Sequence, residues 1–127
     1  MTLRTTGIDH VNLKVKNLSE SIKFWERLLG FHVLEDMPEI GGAIIGTKEA
    51  KLALYEKADL GSVAKQGFSH VCFHIKNFDQ AKQFCEYNGI PVLNDGIIVW
   101  PKSRSLYIQD PNGYEIELAE VWGGGLA

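Results

Sequence analysis

GIDHVNLKVKN occupies residues 7–17 and GFSHVCFHIKN occupies residues 67–77, with glycine, histidine, valine, lysine and asparagine recurring in register sixty positions apart. The match runs on: Phe24 and Glu26 return as Phe84 and Glu86, and Gly30 returns as Gly89, one position early. The chain therefore states one plan twice. Two copies are too few for a solenoid, which needs three or more stacked repeats. They suit a pair of modules packed around a common centre, to which the repeated histidine would bring two imidazoles.

Hydropathy fills in each copy. Residues 10–15 alternate with period two, placing Val11, Leu13 and Val15 on one face of a strand. Ser19 is the expected N-cap of a helix with the apolar stripe Ile22, Trp25, Leu28 and Leu29, closed by Gly30. Three short strands follow at 31–34, 42–47 and 52–55. The second copy repeats the order, with a strand from His70, a helix from about Asp79 to Asn88, and strands near Ile97, Leu106 and Tyr114. DPNG at 110–113 is a turn signal between the last two strands. The final WGGGLA reads as a loose tail. The expected class is α+β: two βαβββ modules, at about 7–57 and 67–121 with a linker at about 58–66. Together they would make a single domain over 1–127, a curled mixed sheet around a cleft.

Bulk properties narrow the function classes. An apolar content of 45% and a charged content of 23% are ordinary for a globular chain. A net charge of −3 gives no electrostatic reason to expect nucleic acid or an anionic membrane as a partner. No apolar run is long enough to cross a bilayer, and the N-terminus lacks the apolar core of a signal peptide, so a cytoplasmic location is expected. Cys72 and Cys85 lack CxxC spacing and read as buried thiols, not as a disulfide or zinc pair.

Strand parity then sorts the polar residues. With Val11, Leu13 and Val15 toward the helix, His10, Asn12 and Lys14 face the other side of the sheet. His70, Cys72 and His74 share the corresponding face of the second copy, as do Glu115, Glu117 and Ala119 of the last strand. Tyr55 and Tyr107 fall on the same side by parity, and Arg104 could clamp an anionic group. A lone strand histidine is more often a surface residue than a ligand. Two histidines at equivalent positions argue otherwise. His10, His70 and Glu117 are the donor set of a facial triad, which holds one divalent metal and leaves positions open for water or substrate.

With these residues in view, the chain resembles the vicinal oxygen chelate superfamily, which includes glyoxalase I, fosfomycin- and bleomycin-resistance proteins, methylmalonyl-CoA epimerase and extradiol dioxygenases. The resemblance covers nearly the whole chain. It rests on DHVNLKVKNLSESIKFWERLLGF, SHVCFHIKN and YIQDPNGYEIEL, of which the last is the most specific. It implies one divalent metal per site (Fe, Mn, Zn or Ni), held by His10, His70 and Glu117, with Glu117 also the expected catalytic group. Asn12, Tyr55, His74, Arg104 and Tyr107 are the expected substrate-side residues. The partners implied are a small-molecule substrate, with a thiol or O2 as candidate co-substrate, and a second copy of the chain in a homodimer.

The resemblance also shows a departure. Four-ligand relatives carry a glutamate in the strand before the linker; here that strand reads LALYE, and Ala53 stands at the ligand position. Three protein ligands, as in fosfomycin thiol transferases and extradiol dioxygenases, are then expected. Yet PKSRSLYIQD replaces the acidic, glycine-containing loop of the fosfomycin enzymes. Lyase, thiol transferase and dioxygenase therefore all stand open, with a metal-free binding protein of the bleomycin-resistance kind as the alternative.

Overall fold

Asn17, not Ser19, opens the first helix of the computed structural model, which describes residues 1–123. Its side-chain oxygen accepts the Glu20 N–H at 2.9 Å, satisfying one of the donors that a helix start leaves unpaired. The elements run β1 (Val11–Val15), α1 (Leu18–Leu29), β2 (His32–Met37), β3 (Gly42–Gly46) and β4 (Lys51–Glu56). They continue as β5 (His70–His74), α2 (Phe78–Tyr87), β6 (Val92–Val99), β7 (Arg104–Gln109) and β8 (Glu115–Ala119). This is βαβββ twice, with an additional 3-10 turn at Pro38–Ile40. Residues 124–127 of the WGGGLA tail lie outside the described residues. Among the described residues no helix is long and apolar enough to cross a membrane.

The chain divides into two compact units, Met1–Gly61 and Ser62–Ala127. In the first, the strand order is β1-β4-β3-β2, with β1 parallel to β4 and the other pairs antiparallel. Leu13, Leu54 and Ala43 lie abreast, as do Leu52 and Ile45 one pleat away, and all five are buried. Helix α1 covers its part of this core with Phe24 and Trp25. Trp25 is fully buried, stacked on Phe31 at 5.8 Å and edge-on to Phe24 at 5.4 Å. Burying side chains of this size stabilises by roughly 1.5–3 kcal/mol each. Gly30 ends the helix in the left-handed region, at φ 68, with its N–H bonded to the Glu26 carbonyl at 2.9 Å. Glu56 accepts the Leu18 N–H at 3.0 Å, so its carboxylate serves the start of α1.

The second unit repeats the order as β5-β8-β7-β6. Phe73, Leu118 and Leu106 form one row across three strands and Val71, Ile116 and Ile108 another. Phe78, Ala81 and Cys85 of α2 are buried, while Cys72 is exposed, which corrects the expectation of two buried thiols. Parity gives the reason: Cys72 lies on the sheet face that carries the polar residues. The turn at 110–113 sets the register of β7 on β8. The buried Asp110 carboxylate accepts the backbone N–H groups of Asn112 at 2.9 Å and Tyr114 at 2.8 Å. Burial holds that carboxyl above its usual range. The register it fixes puts Tyr107 opposite Glu117.

The edge strands are where hydropathy reads least. Strand β2 runs to Met37, beyond the expected 31–34, and its first five residues are exposed, so no alternation marks it. A bulge between Val33 and Glu35 interrupts its ladder. In β6 the register breaks between Val92 and Ile97, where Asn94, Asp95 and Gly96 have φ of 55, 61 and 106.

Candidate metal centre

Three rows of side chains cross one face of the second sheet. His70 pairs with Glu115; Cys72, Glu117 and Tyr107 lie abreast; His74, Ala119 and Ser105 form the third row. His70 Nε2 lies 3.0 Å from Glu117 Oε1. With a proton on Nε2, the imidazole donates to the carboxylate. Without it, two lone-pair donors stand 3.0 Å apart. Ligands about 2.1 Å from a common ion and at right angles to one another sit about 3.0 Å apart. The pair therefore fits two adjacent positions of a divalent metal. On the far side of the ring, Ser69 Oγ is 2.9 Å from His70 Nδ1, a partner that orients the imidazole. Glu115 is engaged by Lys65 at 2.8 Å.

Tyr107 meets the His70 ring edge-on at 5.4 Å, and burial together with the Glu117 charge pushes its phenol up to about 12. His74 stacks on Trp122 with ring centroids 4.4 Å apart. Arg104 does not join this face. It lies over the Phe78 ring and donates to Asp79 at 2.7 Å and to Glu120, tying β7 to the start of α2. These bonds hold the guanidinium well above its usual range, so it is occupied as a brace. A cavity of about 610 Å³ opens beside Glu117, walled by Trp100, Pro101, Lys102, Ala119 and Val121.

Partial burial of the sulfur and the adjacent Glu117 push the Cys72 thiol up to about 12, although the residue as a whole is exposed, so it stays a thiol at neutral pH. Iodoacetamide should label it slowly in chelator-treated protein, with a rate still climbing at pH 10. Glu117→Gln should speed labelling by removing the neighbouring charge. Peptide mass spectrometry across a pH series checks this, and a rate that levels off near pH 9 would contradict it.

In the first unit His10 lies just ahead of β1, with Nδ1 2.7 Å from Asp9 Oδ2, a bond that holds the Asp9 carboxyl below its usual range. Asn12 is exposed on the same face, and Ala53 sits between Asn12 and Ile44, 1% exposed. Tyr55 lies beneath the Lys14 ammonium, 4.9 Å from the ring centroid. Its ring lies so close over Gly42 that a Cβ there would stand 2.6 Å from it. Among the described residues, no group of three His, Cys, Asp or Glu side chains gathers around one point. The second unit by itself supplies two of the three expected donors, and the third, His10, is carried by the first.

The model of the Glyoxalase/Bleomycin resistance protein/Dioxygenase superfamily matches residues 7–118. The chain belongs to that superfamily. It is 27% identical to the metallothiol transferase FosB of Staphylococcus saprophyticus over 115 residues, covering 88% of this chain and 75% of the relative. It is 29% identical to the lactoylglutathione lyase of Escherichia coli O157:H7 over 130 residues, covering 91% and 93%. Among solved structures, a glyoxalase family protein from Enterococcus faecalis superposes with a TM-score of 0.75 at 21% identity, covering 91% of this chain and 98% of that one. At that identity the likeness speaks for the fold. Both curated relatives are named as enzymes, one a transferase and one a lyase.

The residues that the sequence reading missed are Ser105 and Trp100. Ser105 Oγ donates to Glu117 Oε2 at 2.6 Å and accepts the Trp100 indole N–H at 3.0 Å. Parity could have found the serine, since it lies two positions from Tyr107 on the same strand. No motif marks the tryptophan.

Proposed function

We propose that this chain is a divalent-metal-dependent enzyme acting on a small substrate that presents two neighbouring oxygens, with His10, His70 and Glu117 as the protein ligands. The two units act as one functional domain, and the active form is a homodimer. What carries it is the 3.0 Å approach of His70 Nε2 to Glu117 Oε1, beside a cavity of about 610 Å³. A metal bound there would supply Lewis acidity toward the substrate oxygens. The chain's own residues divide the remaining tasks: Glu117 and His70 hold position, Tyr107 lines the site as a neutral phenol, and Trp100, Pro101 and Val121 wall the cavity that would receive the substrate.

The test is metal analysis of protein purified without chelator or metal-capturing tag, coupled to a panel of methylglyoxal with glutathione, catechols, and fosfomycin with a thiol. About one divalent ion per chain and turnover of one panel member is the expected outcome. Protein without affinity for any divalent ion would overturn the enzyme reading. It would leave a metal-free binding protein, which the largely apolar cavity wall favours. Cavity ligands that bind equally well after exhaustive chelation would identify that second case.

A further inference from the structure

The carboxylate of Glu117 is held at both oxygens, and the two holds differ in kind. Oε1 faces His70, while Oε2 takes the Ser105 hydroxyl at 2.6 Å. Ser105 is 2% exposed, so its hydroxyl has little access to water. The direction of the chain is fixed by chemistry. An indole N–H only donates, so the Trp100 contact at 3.0 Å occupies a lone pair of Ser105 Oγ. The single hydroxyl proton is left for Glu117. Geometry permits the reach because Ser105 lies abreast of Ala119, one pleat from Glu117 on the same face, and the small alanine leaves the diagonal open.

The internal repeat provides an independent comparison. In the first unit the position equivalent to Glu117 is Ala53, abreast of Asn12 and Ile44 as Glu117 is of Cys72 and Tyr107. The position equivalent to Ser105 is Gly42, which lies abreast of Tyr55. The unit with the carboxylate carries the hydroxyl, and the unit without it carries neither. A serine kept only to satisfy the fold would have no reason to follow the glutamate.

We infer that Ser105, itself oriented by the Trp100 indole, is a positioning residue that ties Glu117 Oε2 and so presents Oε1 alone to a metal shared with His70. This rests on the reading of Glu117 as a metal ligand. Outer partners of this kind typically change metal affinity about 10- to 100-fold when removed.

Metal affinity, measured by competition with a chromophoric chelator, and the visible absorption of the Co(II)-loaded protein test it on the full chain. Ser105→Ala should weaken affinity about 10- to 100-fold and alter the Co(II) spectrum, because a freed carboxylate can turn or bind through both oxygens. Ser105→Thr, which keeps the hydroxyl, should recover affinity to within a few-fold. Trp100→Phe removes the donor at the far end together with part of the ring, leaves the Ser105 hydroxyl in place, and should shift affinity in the same direction by a smaller factor. It also keeps the test available should the alanine variant not fold. Wild-type affinity and spectrum in Ser105→Ala or, failing that protein, in Trp100→Phe would overturn the inference while leaving the metal reading intact. Wild-type protein that binds no divalent ion would instead overturn the metal reading, and this inference with it.

Discussion

Replacing His70 by alanine should lower divalent-metal affinity by roughly 100-fold or more, because it removes one of the two proposed donors, which stand 3.0 Å apart in the second unit. The imidazole is 3.0 Å from Glu117 Oε1, and its side chain is 30% exposed, so it is accessible without being a core element. Loss of the ring should therefore change unfolding stability by little, within about 1 kcal/mol, while metal affinity collapses. Glu117→Gln should weaken metal binding as strongly by a different route: it keeps the volume and the Ser105 bond but removes the charge. Isothermal titration with a divalent metal, run beside thermal unfolding of the metal-free proteins, separates the two quantities. Affinity unchanged in both variants would remove His70 and Glu117 from the ligand set.

The face that carries the candidate site is legible because a strand repeats with period two and the chain repeats with period sixty. Period two places His70, Cys72 and His74 on one face, and the ladder keeps them there, abreast of Glu115, Glu117 and Ala119. Glu117 followed from the same parity after the turn at Asp110. The misses have physical causes. Ser19 is the N-cap that hydropathy suggests, but Asn17 and Glu20 have the spacing of a capping box and the asparagine makes the cap bond. Residue type alone suggests that Arg104 could clamp an anionic substrate group, yet Ser105 and Tyr107 on the site face put Arg104 on the opposite one, where Asp79 and Glu120 take it. Parity had the answer there. The Trp100 to Ser105 link was not legible, because it joins a loop residue to a strand residue and depends on the path of the intervening turn.

Ala53→Glu asks what the first unit gave up. Ala53 is 1% exposed at the centre of β4, abreast of Asn12 and two residues along the same face from Tyr55. Its place in the ladder matches that of Glu117 in the second unit, so a glutamate would put a carboxylate at the equivalent point of the repeat. Nothing there is ready to receive it. The position that holds Ser105 in the second unit is Gly42 here, and the Tyr55 ring covers it. In metal-free protein the buried charge should therefore destabilise the fold by about 3 kcal/mol or more. A metal drawn to that carboxylate would offset the loss, since a ligand that binds only the folded state stabilises it in proportion to the logarithm of its excess over Kd. The expected result is a variant with a lowered Tm when metal-free and a larger rise in Tm on adding divalent ion than wild type shows. Equal rises in the two proteins would mean that residue 53 only packs within the sheet, and the ligand-position reading of that strand would fall.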